Sequence, residues 1–111
     1  MLVVSSSPFG SLTRSRLLVA LYFLGESYPR ELTRLLGAHL NSVQTALRGL
    51  ERDGLVATRS AGRTRLARLD PRYFASLELG RYLARLSEGD RALVSSVARL
   101  RRRPRRSGKP L

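Results

Sequence analysis

Apolar residues recur at helical spacing along most of this chain, and the pattern predicts a series of helices. The first of them runs from Leu12 to Leu24, with Ser11 in the position of an N-cap. Its second half, Leu17 to Leu24, is apolar on every side. Because a helix that is hydrophobic all round is buried all round, we expect this half to contact the rest of the domain on one side and another subunit on the other.

A pair of short helices separated by a tight turn is predicted between Pro29 and Asp53. Pro29 suits the first position of the first helix, and Gly37 interrupts the apolar pattern that Leu32 begins. The second helix has apolar residues at helical spacing on one side only. These residues are Val43, Ala46, Leu47 and Leu50. We therefore expect the second helix to bury that side and to leave the other free.

The free face of the second helix carries side chains of the types that donate to or accept from base edges in a DNA major groove. These residues are Asn41, Ser42, Gln44, Thr45 and Arg48. The pattern predicts a helix-turn-helix in which this helix is the recognition helix. Arg48 is the candidate for reading guanine, because its guanidinium can span O6 and N7, and Gln44 is the candidate for adenine. The alternative is that this face is only the solvated side of a helical protein.

After Asp53-Gly54, which is a helix stop signal, the hydrophobic period changes. The runs Leu55 to Thr58 and Thr64 to Leu69 predict two strands, with a turn at residues 60 to 63. Because a two-stranded hairpin of this length is not stable alone, we expect it to pack on the helices.

Arginines cluster at the tip of this predicted hairpin. They are Arg59, Arg63 and Arg65. No acidic residue lies between Thr58 and Leu69, so we predict that the three arginines have no local partner and contact DNA phosphates or the minor groove. The alternative is a charged hairpin whose tip interacts only with solvent.

Two helices are predicted in the last part of the chain. Asp70-Pro71 predicts the start of one that runs to about Ser87, and Gly89-Asp90 predicts the start of the other. With the first helix they carry more apolar surface than a domain this small can bury, so we predict a homodimer. The candidate interface residues are Leu17, Leu21, Leu24, Tyr82, Leu83, Leu93 and Val97. A two-fold dimer would place two recognition helices roughly 34 Å apart, which is one turn of DNA.

The charge of the chain favours a polyanionic partner. The sequence has 21 basic and 8 acidic residues, a net charge of +13, and the stretch from Arg99 to Leu111 holds seven of the basic residues and no acidic one. This stretch either contacts phosphates or is a solvated, disordered tail. We divide the 111 residues into an arm at 1–10, a DNA-binding domain at 11–70, C-terminal dimerisation helices at 71–100 and a basic tail at 101–111.

The composition also bears on catalysis, metals and membranes. The chain has no cysteine, which excludes disulfides and thiolate metal sites, and its single histidine, His39, is interpreted as a turn residue. Nothing places His39 beside a nucleophile and an acid, so we predict no enzyme, no metal and no cofactor. The longest apolar run has eight residues, against about 20 for a membrane span. We therefore expect a soluble cytoplasmic protein that is associated with the nucleoid.

The predicted order of elements, namely helix, helix, turn, helix, hairpin and helix, is that of a winged helix-turn-helix, and the residues resemble one group of such proteins. In small prokaryotic ArsR-like and MarR-like regulators, Leu-Gly precedes the turn, Ser/Thr-Val lies in the recognition helix, and Leu-x-x-Leu-x-x-x-Gly-Leu-Val leads into the wing. The matching positions are Leu32, Leu36-Gly37, Ser42-Val43, Leu47, Leu50 and Gly54-Leu55-Val56. The segments Phe9 to Leu24 and Asp70 to Leu83 more narrowly resemble winged-helix proteins encoded near nucleotidyltransferase domains. The ligands of metal-binding ArsR-like proteins are absent.

The resemblance implies a mainly α fold with a small β-hairpin wing (α+β), that is, a winged helix-turn-helix with C-terminal dimerisation helices. It also implies a dimeric, sequence-specific regulator of transcription that binds double-stranded DNA and represses a promoter by occluding it. Two alternatives stay open. One is a protein-interaction module that docks a partner such as a nucleotidyltransferase, and the other is a general basic protein that binds nucleoid DNA or RNA without sequence preference.

Overall fold

Residues 8–102, the part of the chain that the computed structural model describes, form five α-helices and three short strands. The helices are α1 (Leu12–Leu24), α2 (Pro29–Leu36), α3 (Leu40–Arg52), α4 (Ser76–Leu86) and α5 (Arg91–Arg102), and the strands are β1 (Glu26–Ser27), β2 (Val56–Ala61) and β3 (Thr64–Leu69). A short 3₁₀ turn, Ser87–Gly89, precedes α5. The prediction of a mainly α fold with a small β part (α+β) is confirmed, and the predicted hairpin is part of an antiparallel sheet. Residues 1–7 of the predicted arm and 103–111 of the predicted tail lie outside the described residues.

Helix α1 is the centre of the core. It spans the predicted residues, and the Ser11 side chain accepts a hydrogen bond from the Arg14 backbone N–H, as expected of an N-cap. The stretch from Leu17 to Leu21 is at most 1% exposed. Because α1 contacts α2, α3, α4 and α5 as well as β3, the chain itself covers Leu17 to Leu21 on every side, whereas Tyr22 in the same all-apolar half is 38% exposed.

This packing corrects most of the predicted dimer interface. Leu17, Leu21, Leu83, Leu93 and Val97 are each at most 3% exposed and belong to the core of the single chain. The prediction that they present a surface to another subunit is therefore wrong. Of the two remaining candidates, Leu24 is half-buried and Tyr82 is 43% exposed. The homodimer itself stays a prediction.

The hairpin belongs to a three-stranded antiparallel sheet with the order β1-β3-β2. The second predicted strand, Thr64 to Leu69, is confirmed, and the first, predicted over Leu55 to Thr58, runs from Val56 to Ala61. Because Ala61 already pairs with Thr64, the turn contains only Gly62 and Arg63. The third strand, β1, was not predicted. It pairs Glu26 with Arg68, which attaches the chain between α1 and α2 to the hairpin.

The turn between α2 and α3 is fixed by a glycine and by an arginine from α1. Gly37 has a φ of 67°, and its N–H donates to the Thr33 carbonyl, which ends α2. Arg16 donates from Nη1 to the Leu36 carbonyl at 3.2 Å and from Nε to Asp90 Oδ2 at 2.7 Å. Arg16 thus joins α1, the end of α2 and the start of α5.

Of the two C-terminal helices, α4 begins later than predicted and α5 ends later than predicted. Asp70 Oδ1 accepts the backbone N–H of Arg72 at 2.9 Å, which stabilises a turn in competition with a helix, so α4 begins at Ser76 rather than at Pro71. The hydrogen bonds that the backbone N–H and the side chain of Arg72 donate to Asp70 hold the pKa of the Asp70 carboxyl below its ordinary value. Phe74 falls in the turn and is 92% exposed. Helix α5 continues to Arg102, past the predicted start of the tail.

No helix within residues 8–102 is long and apolar enough to cross a membrane.

Candidate nucleic-acid interface

Helix α3 is amphipathic, and its polar face is free. Val43 and Leu50 are fully buried against the core. On the other side, Asn41, Ser42, Thr45 and Arg48 are exposed and Gln44 is half-buried. The helix begins at Leu40, with His39 as an N-cap whose side chain makes no capping hydrogen bond. The structure therefore brings the five predicted recognition residues together on the first three turns of one helix.

Arg48 is held near the other polar groups of this face. Its Nη2 donates to Thr45 Oγ1 at 3.3 Å, one helical turn away. It makes no ion pair with any residue of the described range. The charge of its guanidinium is therefore available to a ligand.

A groove of about 360 Å³ separates α3 from the hairpin. It is lined by Pro29, Gln44, Leu47, Arg48, Glu51, Thr58, Arg65 and Ala67. Two predicted base-reading residues, Gln44 and Arg48, thus share a groove with Arg65 of the hairpin. Pro29, at the start of α2, also lines the groove.

The start of α1 lies beside the start of α3 and was missed by sequence reasoning. Ser11, Thr13 and Arg14 line a second groove with Asn41 and Thr45. The signal that would have identified them is the packing of α1 across α3, which is a long-range contact that local pattern does not reveal.

Arg14 fixes the far end of α3. Its guanidinium is packed so closely on Gly49 that a Cβ at that position would lie 2.0 Å from Nη2. Nη1 lies 3.2 Å from Asp53 Oδ2 at the end of α3 and 3.4 Å from the Phe9 carbonyl oxygen. Gly49, a residue that ordinarily weakens a helix, is therefore the position that admits this side chain.

The prediction that the three hairpin arginines have no local partner is wrong for two of them. Arg59 donates from Nε and Nη2 to the two carboxylate oxygens of Glu26, at 2.9 and 3.1 Å. Arg65 donates from Nη2 to Thr58 Oγ1 and lies 4.0 Å from Glu51 Oε2. The acidic partners come from β1 and α3, which the sequence window from Thr58 to Leu69 did not include.

The Arg59–Glu26 pair is bidentate and affects the titration of both groups. The hydrogen bonds from Arg59 lower the pKa of the Glu26 carboxyl, and those to Glu26 raise the pKa of Arg59. Arg63, by contrast, is exposed in the two-residue turn and makes no ion pair with a described residue.

His39 is exposed in the connection between α2 and α3, where it was expected. Residues 8–102 contain no group of three or more histidine, cysteine or acidic residues placed to hold a metal ion.

Neither a scan against protein-family models nor a search of the curated proteins found a match for this chain. The resemblance to ArsR-like and MarR-like regulators therefore stays a prediction that rests on the matching residues and on a fold compatible with a winged helix.

Proposed function

We propose that this protein is a winged helix-turn-helix that binds double-stranded DNA in a sequence-specific way and regulates transcription. Helix α3 is the recognition helix and the β2–β3 hairpin is the wing. The observation that carries the proposal is the exposed polar face of α3, where Asn41, Ser42 and Thr45 accompany an Arg48 that makes no ion pair within residues 8–102. An α-helix fits a major groove about 12 Å wide, and these side-chain types match base edges.

The buried side of α3 supports the same role. Val43 and Leu50 anchor the helix in the core, and Arg14 ties its last turn to α1. A recognition helix held in this way presents its side chains with little reorganisation. Sequence is then read by Arg48 and Gln44, while Arg63 of the wing contacts phosphate and sets orientation. The net charge of +13 favours association with any duplex.

The homodimer belongs to this proposal. With two of the seven predicted interface residues left outside the core, the candidate surface moves to the exposed large apolar side chains of residues 8–102. These are Leu12, Tyr22, Phe74, Leu77 and Tyr82. A dimer with two-fold symmetry would bind two half-sites related by inversion, and a bound dimer would repress by covering a promoter.

The test is selection of duplexes by the purified protein from a random pool, followed by titration of Arg48→Ala against the selected duplex and a random one. We expect Arg48→Ala to lose about 1–3 kcal/mol on the selected duplex and clearly less on the random one. Arg81→Ala, which removes an equal charge from an exposed position in α4, serves as the control. Equal losses on both duplexes would make Arg48 a phosphate contact, and enrichment of no sequence would indicate a general nucleic-acid binder.

A second candidate function is the docking of a protein partner. The observation that favours it is the exposure of Phe74 and Leu77, at 92% and 64%, near the start of α4. In this case the selected pool would show no shift in the presence of competitor DNA, and a partner protein would co-purify. Loss of that partner on Phe74→Ser would identify the surface.

A further inference from the structure

A short chain of hydrogen bonds joins Arg65 of the hairpin to α3. Arg65 Nη2 donates to Thr58 Oγ1, and Thr58 Oγ1 donates to Glu51 Oε2 at 2.8 Å. Glu51 Oε2 also lies 4.0 Å from Arg65 Nη2, so the carboxylate attracts the guanidinium directly. The Thr58 hydroxyl is thus used twice, as an acceptor and as a donor.

The register of the sheet places Thr58 and Arg65 on the face of the sheet that lines the groove beside α3. Thr58 pairs with Ala67, and Arg65 is two residues from Ala67 in β3, so the three side chains share one face of the sheet. All three line the groove that also contains Arg48. Arg59 lies on the opposite face, where it pairs with Glu26.

Arg65 is therefore neither a free side chain at the tip of the wing nor a fully neutralised one. Its side chain is 61% exposed and that of Glu51 is 43% exposed, so solvent screens their attraction. The hydrogen bond to the uncharged Thr58 hydroxyl fixes the direction of the guanidinium without cancelling its charge. The guanidinium is held next to α3 and keeps donors for another ligand.

We infer that Thr58 and Glu51 are positioning residues for DNA binding, which hold Arg65 in the groove beside Arg48 so that the two guanidiniums contact the same stretch of duplex. This inference rests on the proposed function. A flexible arginine loses rotamer freedom when it is fixed against a phosphate, and a side chain that the free protein already holds loses less. Without the Thr58 hydroxyl, the binding step itself must order Arg65.

Thr58 is the residue to change, because replacing it leaves the net charge unaltered, whereas any change of Glu51 to a neutral residue would also remove repulsion of DNA. Thr58→Val keeps the shape and removes both hydrogen bonds, and Thr58→Ser restores the hydroxyl. The dissociation constants of these variants, of Arg65→Ala and of the double variant Thr58→Val/Arg65→Ala are measured on a random duplex of roughly 30 base pairs, about three helical turns. The same series is measured on the duplex that the wild type selects.

We expect Thr58→Val to weaken binding to both duplexes by about two-fold to about twelve-fold, which corresponds to the ordering of one flexible side chain. Thr58→Ser should bind like the wild type. In the Arg65→Ala background, Thr58→Val should have no further effect, since the hydroxyl acts through Arg65. In the free protein, the NMR signals of the Arg65 Nη2 protons, which donate to Thr58 Oγ1, should be protected from exchange in the wild type and in Thr58→Ser, and should lose that protection in Thr58→Val.

Other outcomes distinguish failure of the positioning role of Thr58 and Glu51 from failure of the proposed DNA-binding function. If the wild type and Thr58→Val bind equally well, or if the Arg65 signal is the same in both, the inference is overturned and the proposed function stands. A loss that persists in the Arg65→Ala background also overturns it, because the hydroxyl would then act through the general placement of the wing. If the wild type binds neither duplex, the proposed function fails and the inference fails with it.

Discussion

Two arginines of the hairpin differ in their partners, and this difference predicts a difference in their contribution to DNA binding. Arg63 has no ion-pair partner within residues 8–102, whereas both carboxylate oxygens of Glu26 accept hydrogen bonds from Arg59. An arginine that releases counterions from DNA must neutralise a phosphate, and Arg59 already neutralises a carboxylate. We predict that Arg63→Gln flattens the salt dependence of binding, and that removing the Arg59–Glu26 pair as a whole does not.

The size of the effect follows from counterion release. Each phosphate contact adds about 0.9 to the slope of log K against log salt concentration. Between about 50 and about 200 mM salt the logarithm changes by about 0.6, so one contact is worth about 3.5-fold in the loss of affinity over that range. In a dimer that loses the contact in both subunits, the figure is about 12-fold.

The assay is fluorescence anisotropy of a labelled random duplex across that salt range. Arg63→Gln should lower the slope by about 0.9 per subunit, and the double variant Glu26→Gln/Arg59→Gln, which leaves the net charge unchanged, should keep the wild-type slope. Glu26→Gln alone should release Arg59 and steepen the slope. If Arg59→Gln alone flattens the slope as much as Arg63→Gln, and Glu26→Gln has no effect, then Arg59 contacts phosphate despite its partner and the reasoning is refuted.

Three further predictions concern stability, pH and assembly. Arg16→Met removes charge-assisted hydrogen bonds to Asp90 and to the Leu36 carbonyl, and the Arg16 and Asp90 side chains are only 23% and 14% exposed. We expect this change to lower the free energy of unfolding in urea by about 1.5–3 kcal/mol, whereas the control Arg81→Met, at an exposed position, should change it little. Because the pKa of Glu26 is lowered in the folded chain, its pair with Arg59 stabilises the fold at pH values above the ordinary pKa of 4.5, and this stabilisation is lost as the pH falls through the lower folded pKa. The difference in the free energy of unfolding between the wild type and Glu26→Gln should therefore persist at neutral pH and vanish at that low pH. Phe74→Ser/Leu77→Ser should turn a dimer into a monomer in sedimentation equilibrium without loss of stability, because both side chains are exposed in the single chain; a dimer that survives must use another face.

The elements that carry local signals were predictable from the sequence. Ser11 caps α1, Pro29 begins α2 and Gly37 ends it, each for reasons contained in the residue itself. The start of α4 was not predictable in this way, because Asp70 can serve equally as a helix cap and as the acceptor in a turn, and the chain adopts the turn. Strand β1 has two residues and no period, and it exists only because β3 lies beside it.

In the candidate site, too, features set by local spacing were predictable from the sequence, and features set by long-range contacts were not. The exposed face of α3 was predictable because helical spacing alone separates Val43 and Leu50 from Asn41 and Arg48. The partners of the hairpin arginines were not, because pairing depends on which distant carboxylate the fold brings near. The dimer surface was misassigned for a related reason. Apolar residues in excess of one helix face indicate burial, but they do not say whether the chain itself or a second copy provides the cover.

The register of the hairpin decides which of its arginines can act on DNA, and an uncharged residue sets that register. Gly62 has a φ of 65°, which a two-residue turn with glycine at its first position uses, and Ala61 therefore pairs with Thr64. A slip of one residue in β3 would move every side chain of that strand to the opposite face. Arg65 would leave the groove beside Arg48, and Arg68 would leave the face that it shares with Glu26. The net charge of the hairpin would be the same in both registers. The number of arginines therefore describes how strongly the hairpin attracts a polyanion, whereas the turn at Gly62 determines which of them lies next to α3.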